Sequence, residues 1–361
     1  MKFRLKNLNY ETQIVNYKLN LKEGGRIVKA LFSLIAVLVL ILIAAIGADT
    51  TSLHFLFGIV IPYLAFIMFV GGFIYRVVKW GRSPVPFRIP TTCGQQKSLP
   101  WIKQNKIENP TSALGVIGRM ALEIFLFRSL FRNTRTELVG EGTDSPQLGY
   151  ASSKWLWLWS LIFHWSFLII ILRHLRFFLE PVPGFIQVLD GLDSILQIGL
   201  PQIYITDLLF LAAITFLFLR RVVLPKVRYI SLPADYFPLF LIFAIASTGI
   251  LMRYFYKVDL ISVKELAIGL TQLHPVLPTD IGALFYVHLF LICSLFAYFP
   301  LSKLMHSGGI FMSPTRNMIS NNRMVRHINP WNPAVEVHTY AEYEDEYREK
   351  MKKAGIPVEK E

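Results

Sequence analysis

The sequence predicts an all-α, polytopic membrane helix bundle with six transmembrane helices and both termini cytoplasmic. Three observations carry this. Of the 361 residues 53% are hydrophobic and only 17% charged, with a mean hydropathy of +0.46, a balance unlike that of an ordinary soluble domain. The apolar residues gather into runs of about 20, the helical length that crosses a hydrocarbon core. Finally, 32 of the 37 Lys and Arg lie on one set of alternate connections, the asymmetry that orients membrane helices with their basic loops inside. The net charge of +13 thus sits between apolar runs rather than over a polar face, which points to the lipid bilayer and away from nucleic acid. Two cysteines, Cys93 and Cys293, are too few for a disulfide framework, a thiolate-held iron–sulfur cluster or a zinc site.

In order, the expected spans are 28–47, 54–77, 155–179, 205–221, 236–252 and 281–301. The first follows a long polar, basic stretch and is itself long enough to cross, so it reads as an anchor rather than a cleaved signal. Lys and Arg number 7 in 1–29, 12 in 76–154, 4 in 220–228 and 9 from 303 onward, against none in 48–53 or 180–204 and 3 in 253–280. The chain divides into a cytoplasmic N-terminus with an additional transmembrane helix (1–53), a membrane domain (54–310) with a cytoplasmic insertion at 78–154, and a cytoplasmic C-terminal tail (311–361). Ser83-Pro84-Val85-Pro86 and Cys93-Gly94 argue against a compact unit in the insertion. Within it, Leu114, Ile117, Ala121, Ile124 and Phe125 recur at helical spacing, predicting an amphipathic helix over 113–132 that lies on the inner membrane surface or packs on a partner subunit. Phe185, Ile186, Val188, Leu189, Leu192, Ile195 and Leu196 predict a short interfacial helix in the outer connection. The tail, with Glu342, Glu344, Asp345 and Glu346 followed by Lys350, Lys352 and Lys353, reads as solvated or partner-bound.

Four of the eight histidines fall in or at the end of expected spans: His164 and His174 in the third, His288 and His306 along the sixth. A titratable side chain at membrane depth is costly and marks function by default, although any single one is equally explained as a histidine hydrogen-bonded between helices. Two pairs on two helices favour function. At 1.5 Å per residue, His174 lies about 8 Å and His288 about 10 Å from the outer ends of their spans. The two therefore share a depth. Because the spans are antiparallel, His164 and His306 are both displaced toward the cytoplasm, and two crosswise pairs result. The 18-residue interval is five whole turns, whereas the 10-residue interval leaves an offset of about 80° and a rise of about 15 Å against about 27 Å. A kink at Pro300 absorbs part of that difference, and Gly308 and Gly309 read as a C-cap that lets the helix reach His306.

Two neutral imidazoles facing each other in an apolar bundle are the axial ligand set of low-spin haem. Zinc is the weaker choice, since it wants three or four ligands and a carboxylate second shell. With no Cys-x-x-Cys-His, the haem is noncovalent and b-type. The alternatives are a histidine-lined transporter, against which no span is interrupted by paired Gly and Pro, and a redox-inactive anchor, which leaves four histidines unexplained. Arg173 and Arg176 flank His174; they offer fixed donors to haem propionates or a quinone carbonyl, or else snorkel to headgroups. His54 and His274 read as interfacial polar groups, and Trp155, Trp157 and Trp159 as an aromatic belt.

On these residues the chain resembles the nitrate reductase gamma subunit family, membrane cytochromes b with two b haems. Phe163-His164 through Arg173-His174 and Val287-His288 through Lys303-Leu304-Met305-His306 match its histidine pairs, and Phe299-Pro300-Leu301-Ser302-Lys303 is similar to its last helix. The likeness covers about residues 54–310. The extra first span, Arg119-Met120-Ala121-Leu122-Glu123, Phe127-Arg128-Ser129-Leu130-Phe131-Arg132-Asn133, Asp235-Tyr236-Phe237-Pro238-Leu239-Phe240 and Thr248-Gly249-Ile250-Leu251-Met252-Arg253 look most like the DsrM (HmeC) branch, tied to dissimilatory sulfite reduction. The resemblance implies His164 with His306 on an inner haem and His174 with His288 on an outer one. It implies a multi-pass protein of the cytoplasmic (inner) membrane that serves as electron-transfer subunit of a quinone-linked oxidoreductase. Menaquinone chemistry is expected beside the outer haem, and electron exchange with a cytoplasmic, DsrK-like iron–sulfur subunit beside the inner one. Further membrane and periplasmic subunits are expected in the same complex. The first span and long inner loop depart from the simpler nitrate reductase subunit, so a nitrate reductase-like or heterodisulfide reductase-like complex is the alternative.

Overall fold

A computed structural model describes residues 28–84, 94–139, 145, 147–194, 203–279, 281–325 and 336–360. The first long helix, α1, is Val28–Asp49. A π turn over Leu56–Val60 runs into α2 (Ile61–Gly81); the turn sits just ahead of Pro62, whose ring and missing N–H disturb the helical ladder one turn back. The connection that follows α2 holds α3 (Ala113–Leu126), α4 (Arg128–Arg132) and an antiparallel hairpin of β1 (Thr134–Val139) and β2 (Gln147–Ser152). Next come α5 (Lys154–His174), continued by a 3-10 turn over Leu175–Phe177, then α6 (Gly184–Asp193), α7 (Ile205–Val223), α8 (Pro225–Ile230) and α9 (Pro233–Tyr254). The chain closes with α10 (Leu260–Thr271), α11 (Ala283–Tyr298), α12 (His306–Gly309), α13 (Pro314–Asn317) and α14 (Tyr340–Lys353).

Five of these helices are long and apolar enough to cross a membrane: α1, α2, α5, α9 and α11, the last counted to Leu301. The expected fourth span, α7, is a 19-residue helix in the same bundle, but it carries Asp207 near its start and Arg220 and Arg221 near its end. The long helices form an arc in which α5 packs on α7, α7 on α9, α9 on α11 and α11 on α2. Their common core is Phe57, Phe210, Ile214, Leu241, Leu266, Tyr286 and Leu291, joined from α1 by Val37, Ala44 and Ala48. The basic connections meet one another: Ser33 donates to Pro233 O at 2.9 Å, Arg221 to Ser231 Oγ at 3.2 Å and Lys226 to Thr136 O at 3.2 Å. At the other end Tyr63 donates to Leu270 O and the Tyr204 N–H to the Tyr254 hydroxyl, both at 3.0 Å. Successive long helices therefore run antiparallel.

The expected helix over 113–132 is two helices, because Phe127 takes a left-handed conformation (φ 49°, ψ 45°) that ends α3 and starts α4. Nor does the last long helix continue to His306 behind a glycine cap. Pro300 closes it in a 3-10 turn, Ser302 is extended (φ −110°, ψ 177°), and the Ser302 hydroxyl accepts from the Leu304 N–H to start a new turn. Gly308 and Gly309 lie inside or at the end of α12 rather than in a left-handed cap. The short outer helix is present as α6, while Ile195 and Leu196 lie outside the described residues. The hairpin, α10 and α14 have no counterpart among the expected elements. In α14, Thr339 and Glu342 cap the first turn reciprocally, which with basic residues in the last turn stabilises an otherwise polar helix.

The connection between α2 and α5 is held by a buried polar network. Arg119 donates to the carbonyls of Glu108 (2.9 Å), Arg316 and Met318 (3.0 Å); Glu108 pairs with Arg128 and Arg132, and Glu123 with Ser129 and Arg316. This ties α3 and α4 to the segment just after His306. Burial alone would raise the Glu108 carboxyl, but Arg128 and Arg132 overcome it and hold the group below its ordinary value. A depressed folded-state value means the contribution is complete above the ordinary glutamate range and is lost as pH falls through the folded value. Acidification from pH 7 to below about 4 should therefore lower the protection factors of α3 and α4, taken relative to the intrinsic exchange rate at each pH, and Glu108→Gln should show the lower protection already at pH 7. Protection factors in α3 and α4 that stay unchanged across this range would exclude the carboxylate as the tie.

Candidate functional site

The four histidines come from α5, α11 and the start of α12. Because α11 ends at Tyr298 and the chain turns at Ser302, His306 is not displaced a full 18 residues down a straight helix. It faces His164 with ring centroids 6.0 Å apart and planes at 83°. An iron holding one imidazole nitrogen at about 2 Å on each side puts the two centroids about 6 Å apart. His174 and His288 likewise lie within electrostatic reach of each other. His164 and His306 are thus brought face to face, and α5 and α11 share few close contacts.

Each ring has one nitrogen committed. Nδ1 of His164 lies 2.7 Å from Ser160 O, Nδ1 of His174 2.7 Å from Ile170 O, and Nδ1 of His306 2.8 Å from Lys303 O. A carbonyl only accepts, so these nitrogens carry the proton. Nδ1 of His288 is 2.8 Å from the Thr248 hydroxyl, which lies 2.9 Å from both Ala244 O and Ile245 O. The hydroxyl gives its hydrogen to a carbonyl and accepts from the ring. All four Nε2 atoms are left with a lone pair, the state a metal ligand requires, with the opposite N–H fixing the ring. Phe127 and Phe163 stand edge-on to His164 at 4.9 and 5.2 Å, and a Cβ on Gly249 would come within 3.3 Å of His288 Cε1. These residues fit noncovalent haem: neutral imidazoles with Nε2 free of a proton in an apolar setting, with a glycine where the His288 ring lies close to a neighbouring helix.

The two arginines beside His174 are engaged with carboxylates. Arg173 is buried and pairs with Asp193 and Asp207, each at 3.0 Å. Its guanidinium stacks on Tyr204 at 3.7 Å, with that of Arg253 at 3.8 Å from the same ring, and Tyr254 donates to Asp207 at 2.8 Å. Arg176 grips Asp190 of α6 with both carboxylate oxygens. Burial explains this, since a desolvated guanidinium needs its own counter-charge. His54 donates from Nε2 to Ala48 O, 2.8 Å away, and stacks on Tyr286 at 4.6 Å; His274 and His338 are exposed, and His327 lies outside the described residues. Thr248 and Gly249 were legible as a motif without a role, and the role needs His288 placed beside them. The Asp190, Asp193 and Asp207 partners left no local sign.

A family model described as nitrate reductase gamma subunit matches residues 113–327. The chain is 46% identical over 286 residues to the Hdr-like menaquinol oxidoreductase cytochrome b-like subunit of Archaeoglobus fulgidus, covering 77% of this chain and 84% of that one. It is 43% identical over 286 residues to the protein of the same description from Archaeoglobus profundus, covering 77% and 83%.

Proposed function

The chain belongs to the nitrate reductase gamma subunit family, and from that premise we propose that it is the membrane cytochrome b subunit of a menaquinol oxidoreductase complex. In this reading α7 is a sixth span, both termini are cytoplasmic and the membrane is the cytoplasmic one. His164 and His306 hold an inner b haem, and His174 and His288 an outer one. The bound haems supply one-electron transfer between menaquinone and a cytoplasmic iron–sulfur subunit. The protein's own part is to present four unprotonated Nε2 atoms, hold each ring by its Nδ1–H, and keep the surroundings apolar. The observation that carries the reading is the opposed pair at 6.0 Å with both Nδ1 atoms taken by backbone carbonyls. The descriptions of the two archaeal relatives, cytochrome b-like subunits of an Hdr-like menaquinol oxidoreductase, support a place among other subunits of a quinone-linked complex; a DsrK-like iron–sulfur partner and a place in sulfite reduction are part of this proposal. A reduced-minus-oxidised spectrum with haem extraction should find two b haems per chain, and fewer than two would sink the dihaem assignment.

The quinone is placed beside His174 under α6, in a pocket that should be largely apolar with few donors. Arg176 shapes that pocket through its grip on Asp190, and Arg173 acts beside it by holding the ends of α5, α6 and α7 together. Arg176→Ala is expected to slow reduction of the outer haem by a quinol analogue while both haems remain bound. Unaltered quinol kinetics in a fully loaded variant would move the quinone elsewhere.

A further inference from the structure

α3 is amphipathic in the opposite sense from a helix lying on a membrane surface. Its charged residues turn inward, with Arg119 only 2% exposed, while Leu114 and Ile117 are 81% and 63% exposed and Phe125 and Leu126 are also exposed. The inward charges are satisfied by the network with Glu108, Ser129 and Arg316. The outward face has no such partner among the described residues, and an apolar face of this kind is unfavourable in water.

The position of the face relative to α5 identifies what covers it. Trp165 lies 11 residues into α5, about 16 Å along the axis from Lys154. Its ring is 6.2 Å from Phe125 and its indole N–H donates to Phe125 O at 3.1 Å. Trp157, nearer the Lys154 end, donates to Leu126 O at 2.7 Å. The last carbonyls of α3, freed where Phe127 turns left-handed, are thus met by donors inside the protein, which backbone at hydrocarbon depth requires and backbone in water does not. The exposed face of α3 continues the exposed stripe of α5 formed by Trp165, Leu168 and Ile171. Along α3 runs an apolar groove of about 610 Å³ lined by Ile107, Gly115, Gly118, Leu122 and Phe125. A Cβ at Gly118 would meet nothing within 4 Å. Lys106 also lines the groove, and it has no ion-pair partner among the described residues.

We infer that α3 is embedded in the leaflet on the Lys154 side, with phospholipid acyl chains against Leu114, Ile117 and the groove, and the Lys106 ammonium meeting an anionic headgroup. The inference rests on the membrane fold and α5 as a span, not on the haem or quinone assignments.

In a Cys93→Ser, Cys293→Ala background, Ile117→Cys and Gly118→Cys would each carry a nitroxide in the full complex reconstituted into phosphatidylglycerol-containing bilayers. Assembly into the complex with thermal stability equal to the parent's certifies folding. The labels should collide with oxygen and be shielded from a water-soluble nickel chelate, matching Leu168→Cys and opposite to Val337→Cys in the tail. Access by nickel would put the face in water, and shielding from both reagents would put it under a protein; either result overturns the inference. Lys106→Glu should reduce the phosphatidylglycerol retained in native mass spectra of the solubilised complex. Undiminished retention would remove Lys106 from the site.

Discussion

Alanine at His164 or at His306 is expected to remove one haem, and the same one in both variants, leaving about half of the b-type absorbance. Alanine at His174 or His288 should remove the other. The expectation follows from the opposed rings of His164 and His306, 6.0 Å apart, and from the reach between His174 and His288. Bis-histidine haem that loses one axial ligand loses the spectrum of the low-spin pair, so the readout is the difference spectrum together with extracted haem. A pattern in which His164→Ala and His288→Ala delete the same haem would overturn the crosswise assignment. Thr248→Val, which removes the acceptor holding His288 Nδ1, should weaken only the haem lost in His288→Ala.

The second large effect concerns Arg173. Its guanidinium, two carboxylates and the Tyr204 ring form a buried cluster in which Asp193 also accepts from the Thr206 N–H at 2.8 Å and hydroxyl at 2.6 Å. Arg173→Leu would strand Asp193 and Asp207, and breaking a buried ion pair from one side costs about 3–5 kcal/mol. A marked fall in thermal stability is expected, together with loosening of α6 and weaker retention of the haem on His174. Arg173→Leu combined with Asp207→Asn should recover part of the loss, because one stranded charge is removed with its partner. Stability equal to the parent's, with only quinol kinetics altered, would instead return Arg173 to direct contact with quinone.

Much of the bundle was legible from local features. Six apolar runs were read as spans; five form helices long and apolar enough to cross and the sixth, 205–221, forms α7, while the apolar residues from Phe185 onward announced α6, because length and apolar content follow directly from the chain. His164, His174, His288 and His306 stood out because a titratable group in an apolar run is anomalous wherever its neighbours lie, and the antiparallel order of the runs already paired them crosswise. The helix break at Ser302 was not legible, since Pro300 signals a kink and not its size. Straight-helix arithmetic consequently overstated the depth difference between the two pairs.

What only the tertiary structure decided depends on residues far apart in sequence. The 113–132 segment read as an amphipathic helix on the inner membrane surface or on a partner subunit, yet its Arg119 guanidinium bonds to carbonyls 197 and 199 residues away, so the charged side faces the protein. Arg173 and Arg176 read as free donors at an outer site until Asp193, Asp207 and Asp190 are seen to hold them. Phe127 carries no mark of the left-handed conformation it adopts against His164, at a break where the carbonyls of Phe125 and Leu126 accept from Trp165 and Trp157 of another helix. Spans and ligand types follow from the composition of single segments. The direction in which a charged side chain points depends on where a counter-charge lies once the helices have packed, and one segment does not contain that information.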